Sequence, residues 1–323
     1  MSTIRYMAAK QRQSVDRSPS SDSRMTYTEF MRRFPDSDAC LEYLKEKHYP
    51  NGTPCPKCGK ASRFHKIRGR SAYSCQYCGH HVYPTASTIF HKTTTSLQLW
   101  FFGIYLISSS KCGISAKQFG REIGVSYKTA HRMMKQIRYL LSEDDDAPLS
   151  GEVEMDETFI GGKPRLKDVH RVKREHHPRY RDMTRKEVVF AAVERGGRVK
   201  ASVVPDRTRD TLATKAREFV LPESMIFTDE WRLYDAVGRE FKSHRRIKHK
   251  AKVYVEGDVH TQTVESFFAL FKNSVRGAHH CVSTRYLQNY LDEYTFRWNR
   301  RKEDWTIFAE ILERATQARL VGA

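Results

Sequence analysis

The chain has 323 residues and a formal net charge of +19, with 57 Lys and Arg against 38 Asp and Glu. Charge of that size, spread along the whole length, points to a polyanionic partner, most simply nucleic acid, with a basic membrane-surface protein as the other option. No apolar run is long enough to span a bilayer and no signal-peptide pattern is present, so a soluble, cytoplasmic protein of two or three domains is expected.

Residues 1–25 are rich in Ser, Arg and Gln and read as a disordered basic tail. A region from 26 to 92 follows. Phe30, Phe34, Cys40, Leu41 and Leu44 recur at helical spacing, and Pro35-Asp-Ser-Asp supplies an N-cap for the second of two short helices. Next come Cys55-Pro-Lys-Cys58-Gly and Cys75-Gln-Tyr-Cys78-Gly. Two Cys-x-x-Cys units, each closed by Gly, match a four-thiolate zinc ribbon, because Zn²⁺ takes four thiolates in a tetrahedron and each tight turn presents two. A β unit this small is expected to need its metal to fold. With four cysteines present, His65, His80 and His81 are not needed as ligands.

From 93 to 145 the chain reads as helical. Leu97–Ile107 is a mostly buried helix. Ser115 and Ser126 are N-caps, Gly124 supplies a turn, and Gly120 permits close approach, a helix-turn-helix pattern. Its second helix carries Lys128, His131, Arg132 and Lys135 toward solvent; an ordinary helical hairpin is the alternative. Ser142–Pro148 reads as an acidic linker.

Strands then dominate, at Val153–Ile160, Glu187–Glu194, Val199–Val204 and Met225–Thr228, with a helix at Thr208–Phe219 and a short one at Trp231–Val237. Arg195-Gly-Gly-Arg198 is a hairpin turn. A further strand is expected near Ala251–Val255 and a helix at Ser283–Trp298. Three antiparallel strands, a helix, then a strand ending in Asp229 is the order of a ribonuclease H-like core. The insert from 163 to 186 is basic and polar, and reads as a solvated or DNA-gripping loop starting at Lys163.

His260–Arg276 has two faces at helical period. Val264, Phe267, Phe268, Phe271 and Val275 form an apolar stripe; Glu265, Ala269, Lys272 and Arg276 form another line. Alone, the stretch reads first as a solvated amphipathic helix. With Asp156 in one strand and Asp229 ending another, it adds the helix carboxylate that a two-metal phosphoryl-transfer site requires. Glu157 and Glu230 are expected to point away from Asp156 and Asp229, since strand neighbours alternate faces.

The paired knuckles, Thr88–Thr93, Asp156–Lys163, Glu194–Arg198, Thr228–Tyr234, His260–Lys272 and His280–Arg301 together resemble the insertion-sequence DDE transposases, in the subgroup with an N-terminal zinc ribbon. The resemblance implies a multidomain α+β chain: a small zinc-ribbon β unit, a helix-turn-helix segment, and a ribonuclease H-like α/β catalytic domain with a mixed sheet over 150–301, before a C-terminal helix at 302–323. It implies Asp156, Asp229 and Glu265 as the catalytic carboxylates. They would hold two Mg²⁺ or Mn²⁺ ions roughly 4 Å apart for DNA cleavage and strand transfer. Lys272 and Arg276 would hold phosphates. Lys128, Arg132, Lys135 and Lys163 would also contact DNA. The partners implied are double-stranded DNA, as terminal inverted repeats and target, and further copies of the chain in a homodimer or larger assembly on the bacterial nucleoid. Where the family carries Asn three residues before the third acid, this chain has Gln262. A non-catalytic DNA-binding regulator and a metal-dependent nuclease without strand transfer are the alternatives.

Overall fold

The computed structural model describes residues 25–142, 147–161, 186–229, 234–246, 261–303 and 306–317. The basic tail, most of the acidic linker, the insert from Lys163 to Arg185, the strand expected at Ala251–Val255, Glu230 and His260 lie outside those residues.

Helices α1 (Tyr27–Arg33) and α2 (Ser37–His48) start on capping side chains: Thr26 accepts from the Glu29 amide at 3.2 Å and Asp36 from the Ala39 amide at 2.8 Å. A small β unit follows. Strands β1 (Thr53–Pro54) and β2 (Ala61–Ser62) pair, and β3 (Phe64–Lys66), β4 (Tyr73–Cys75) and β5 (His81–Val82) form an antiparallel sheet. Then come α3 (Leu97–Ser109), α4 (Ala116–Ile123) and α5 (Tyr127–Tyr139). Ser115 and Ser126 cap the last two. Gly124 turns between them at φ +70°, and a Cβ on Gly120 would stand 3.0 Å from the Val125 carbonyl oxygen and 3.1 Å from Ala130 Cβ. That crowding is why the α4–α5 corner takes glycine at 120.

The second half holds a five-stranded mixed sheet. Strands β6 (Glu152–Ile160), β7 (Glu187–Glu194) and β8 (Val199–Val204) run antiparallel. After α6 (Arg209–Phe219), β9 (Met225–Thr228) joins β6 in parallel. A short helix, α7 (Tyr234–Val237), leads to β10 (Ser243–Arg246), parallel to β9 at the sheet edge. The sequence pattern did not signal β10, because Ser-His-Arg-Arg has no alternation and an edge strand needs none. The chain continues through α8 (Gln262–Ser274), a π-helical turn at Val275–His279, a 3-10 turn at Thr284–Tyr286, α9 (Leu287–Asn299) and α10 (Ile307–Gln317).

Both sheet faces are covered. Val153, Met155, Phe190 and Ile226 pack with Leu212 and Ala216 of α6 on one. Val189, Ala191 and Val193 pack with Val264, Phe267, Phe268 and Phe271 of α8 and Leu291 of α9 on the other. Burying each of those Phe side chains is worth roughly 1.5–3 kcal/mol. The apolar stripe therefore sets the rotation of α8, and Glu265, Ala269 and Arg276 are left exposed. Helix α10 does not stand apart. Phe308, Ile311 and Leu312 join the core built by α1, α2, the β unit and α3 to α5.

Candidate functional site

Strand β6 lies inside the sheet, yet its α8-facing side is polar. Glu154, Asp156 and Thr158 alternate with Val153, Met155 and Glu157. The β6–β9 ladder pairs Glu152 with Met225, Val153 with Ile226 and Glu154 with Phe227. Asp156 and Asp229 each stand two residues past that last pair, so alternation returns both to the face that Glu154 and Phe227 occupy.

Helix α8 lies along the same face. The Val264 amide donates to Glu154, and eight residues on, Lys272 Nζ donates to the Thr158 hydroxyl. Eight helical residues rise about 12 Å and four strand residues about 13 Å, so helix and strand keep step. Glu265, in the first turn, is exposed, and the Thr261 hydroxyl donates to it at 3.3 Å. Gln262 opens the helix, exposed.

Burial pushes the Asp156 carboxyl well above the usual carboxylate range, and Glu157, Asp229 and Glu265 add to the rise. Burial lowers Lys272 from its ordinary value, against the pull of Asp156, and Arg276 lowers it further. An acid driven toward its neutral form by burial and by neighbouring carboxylates is a site that a cation would relieve. The donors are oxygens, the set that suits Mg²⁺ or Mn²⁺. Glu157 turns to the opposite face, where the Tyr234 hydroxyl donates to it at 2.7 Å.

The four cysteines of the β unit converge. Their sulfurs all lie within 4.8 Å of one another, with Cys55 to Cys78 at 3.6 Å and Cys58 to Cys75 at 3.9 Å. Among the described residues no other set of three or more His, Cys, Asp or Glu ligand atoms gathers so tightly; the three carboxylates share a field without closing to that distance. Gly59 and Gly79 close the turns at φ +71° and +68°, donating to the carbonyls of Cys55 and Cys75. Burial raises the Cys75 thiol, but the Ser62 hydroxyl at 3.1 Å and the Cys78 and Tyr77 amides outweigh it, bringing it down to about 6. That favours a thiolate at Cys75, while at Cys78 the His80 amide lowers the thiol but burial and the sharing of protons with Cys55, Cys58 and Cys75 push it up to about 11. His65 and His81 are exposed, outside the cluster.

Lys128, Arg132 and Lys135 are exposed on α5. They do not all face open solvent. The Arg132 guanidinium lies 5.8 Å from the Trp100 ring, Lys135 Nζ lies 5.2 Å from the Tyr286 ring, and His131 is half-buried against Tyr286. From Lys47 to Arg121 the chain has no Asp or Glu, against eleven Lys and Arg. The β unit and the start of α4 therefore carry only positive formal charges of their own, and Asp38 of α2 pairs with one of them, Lys66, at 2.6 Å. Lys163 lies outside the described residues.

Sequence reasoning missed Glu154, Tyr234 and the buried Arg138–Glu293 pair. For Glu154 a signal was present: in Gly151-Glu-Val-Glu-Met-Asp156 an acid two residues before Asp156 shares its strand face.

Residues 148–299 match an ISXO2-like transposase domain and residues 35–81 a transposase zinc-ribbon domain. The chain is also 29% identical over 281 residues to a Halobacterium salinarum protein described as an uncharacterized protein in transposable element ISH50. The match covers 83% of this chain and 92% of that relative. Among the described residues no helix is long and apolar enough to cross a membrane.

Proposed function

We propose that this chain, which belongs to the insertion-sequence DDE transposase family, binds the ends of its own element and cuts and joins DNA at Asp156, Asp229 and Glu265. What supports the reading is that the Asp156 carboxyl on β6, raised by burial, is raised further by Asp229 after β9 and by Glu265 on α8. Asp156, Asp229 and Glu265 would hold Mg²⁺ or Mn²⁺. When bound, such an ion supplies Lewis-acid activation of the attacking oxygen and offsets charge on the leaving one.

The protein's own groups place the DNA. Lys272 follows Glu265 two turns further along α8, and Arg276 a third turn on, in the π-helical turn that continues it; each would meet a phosphate oxygen of the strand being cut. Lys163, next to the two glycines that leave β6, would reach the same strand. The four cysteines would hold one structural Zn²⁺, fixing the ribbon on α2 and α3. Lys128, Arg132 and Lys135 on α5 would dock against end DNA. Recognition would then rest on residues before about 145 and chemistry on 150–301, with two or more copies assembled on the DNA ends.

The test is cleavage of a labelled element end in Mg²⁺, followed by joining of the cut end to target DNA. Binding without cleavage would leave a DNA-binding regulator, and cleavage without joining a nuclease.

A further inference from the structure

We infer that Glu154 is a positioning residue: from the middle of the sheet it caps the helix that carries Glu265 and holds that acid in register with Asp156 and Asp229. This rests on the reading of those three acids as a metal site.

Helix α8 lacks a cap of its own. Thr261, at the N-cap, makes no side-chain capping bond. The amides of the second and third helical residues are instead taken by Glu154, 109 and 110 residues away in the chain. Thr263 N donates to Oε2 at 2.7 Å and Val264 N to the same oxygen at 3.1 Å. The Thr263 hydroxyl donates to Oε1 at 3.0 Å, and Arg195 Nε to that oxygen at 2.9 Å. Both carboxylate oxygens are thus doubly engaged, and the side chain is 0% exposed. A carboxylate at a helix N-terminus complements the free N–H groups and the helix dipole. Here it does so from another element, so the cap is also a clamp between strand and helix.

The clamp joins the three elements that bear the acids. Glu154 lies two residues before Asp156 on the same face of β6. Its ladder partner on β9 is Phe227, two residues before Asp229. Val264, whose amide it holds, directly precedes Glu265. Arg195, from the β7–β8 turn, closes the layer: it pairs with Glu154 and Glu152, and its guanidinium stacks 3.8 Å from the Phe227 ring. Sliding α8 by one residue along β6 would break all three α8 bonds to Glu154 and carry Glu265 away from Asp156. A buried carboxylate is required because four donors converge, one of them a cation. An amide in its place would lose the charge and turn an N–H toward donors.

The experiment measures Mn²⁺ binding to zinc-replete, full-length protein by electron paramagnetic resonance, with cleavage as a second readout. Glu154→Gln should weaken Mn²⁺ binding by roughly 10–100-fold, the range for loss of a group that orients a ligand. Thr263→Val removes one bond and leaves the Glu154–Arg195 pair intact. It should fold and give a smaller loss in the same direction, which keeps the test decisive if Glu154→Gln does not fold. In a Glu265→Gln background neither change should weaken binding further, because its effect runs through Glu265. Wild-type Mn²⁺ affinity in folded Glu154→Gln and in Thr263→Val would overturn the clamp alone, as would losses that persist undiminished beside Glu265→Gln. Wild-type protein that binds no Mn²⁺ would overturn the metal-site reading and this inference together.

Discussion

Arg138 Nε lies 2.7 Å from Glu293 Oε2, and both side chains are buried. The pair joins α5, the second helix of the α4–α5 corner, to α9 under the sheet. Arg297 adds a second guanidinium to Glu293 at 2.9 Å and donates to the Ile107 carbonyl at the end of α3. The Tyr294 hydroxyl donates to the Cys112 carbonyl. The helix carrying Lys128, Arg132 and Lys135 is therefore fixed against the half carrying the three acids by a buried polar seam.

That seam predicts an acid-sensitive junction with two windows. Burial lowers His279 to about 4, with Arg138 and Arg297 adding to it against the pull of Glu293. Its folded value lies below its unfolded one, so stability falls as pH drops from about 6.5 toward 4. Burial opposes ionisation of Glu293, but Arg138 and Arg297 outweigh it and bring it down to about 2. Its stabilisation is whole above the unfolded carboxyl value of about 4.3 and is lost as pH falls from there toward 2. Thermal melts from pH 8 to 3 should show both declines, and Glu293→Gln should flatten the lower one. At pH 7, removing one partner of a buried pair should cost about 3–5 kcal/mol. A Glu293→Gln melt within a degree of wild type would show that the seam carries no stability.

Zinc is the second prediction. Purified protein should hold about one zinc per chain, and a Cys75→Ser, Cys78→Ser double variant should hold none. The ribbon shares its core with the neighbouring helices through Phe64, Tyr73 and Val82. Chelation should therefore lower the melting temperature of the N-terminal half as well as release metal. Unchanged zinc content in the double variant would refute the assignment.

DNA docking by α5 is read from salt dependence. Lys128→Ala and Lys135→Ala should each weaken end binding and reduce the slope of log K against log salt by about 1, the mark of one lost phosphate contact. Arg132 and Lys135 differ from Lys128, because their cations also lie over the Trp100 and Tyr286 rings. Arg132→Ala and Lys135→Ala should lower thermal stability as well as affinity, through lost packing. An unaltered salt slope in Lys128→Ala would take this helix off the DNA.

Much of this site was legible where one residue pattern has one physical solution. The knuckle cysteines and the bounds of β7, β8 and β9 follow from local chemistry and strand alternation. The apolar stripe of α8 fixed its rotation because core burial outweighs exposed charge. What the pattern hid was long-range pairing. Glu154 reads locally as one more acid in a strand; only the approach of α8, more than a hundred residues later, makes it a cap. Arg138 reads as a last-turn base of a surface helix, and its burial depends on Glu293 arriving from α9. Phe308, Ile311 and Leu312 carry a helical stripe, but nothing in that stripe says that it returns to the N-terminal core.

The final prediction separates the three acids from their neighbours. Asp156→Asn, Asp229→Asn and Glu265→Gln should each abolish cleavage of an element end, well beyond the roughly 100-fold cost of losing an outer partner of a metal ligand. End binding, measured by gel shift in Ca²⁺, should hold or tighten, since each change removes negative charge facing the DNA. Lys272→Ala should lose binding and cleavage together. It removes a cation that lies in the field of Asp156 and is anchored on the Thr158 hydroxyl. Glu157→Gln is the control on the far side of β6. Its carboxylate accepts from Tyr234 in the opposite core, so it should cleave at a substantial fraction of wild-type rate with a modest loss of stability. The pattern expected is therefore three inactive binders, one variant impaired in both, and one active variant that melts earlier. Near wild-type cleavage by Glu265→Gln would move the third carboxylate off α8, and Glu157→Gln as dead as Asp156→Asn would move the chemistry to the other face of the strand.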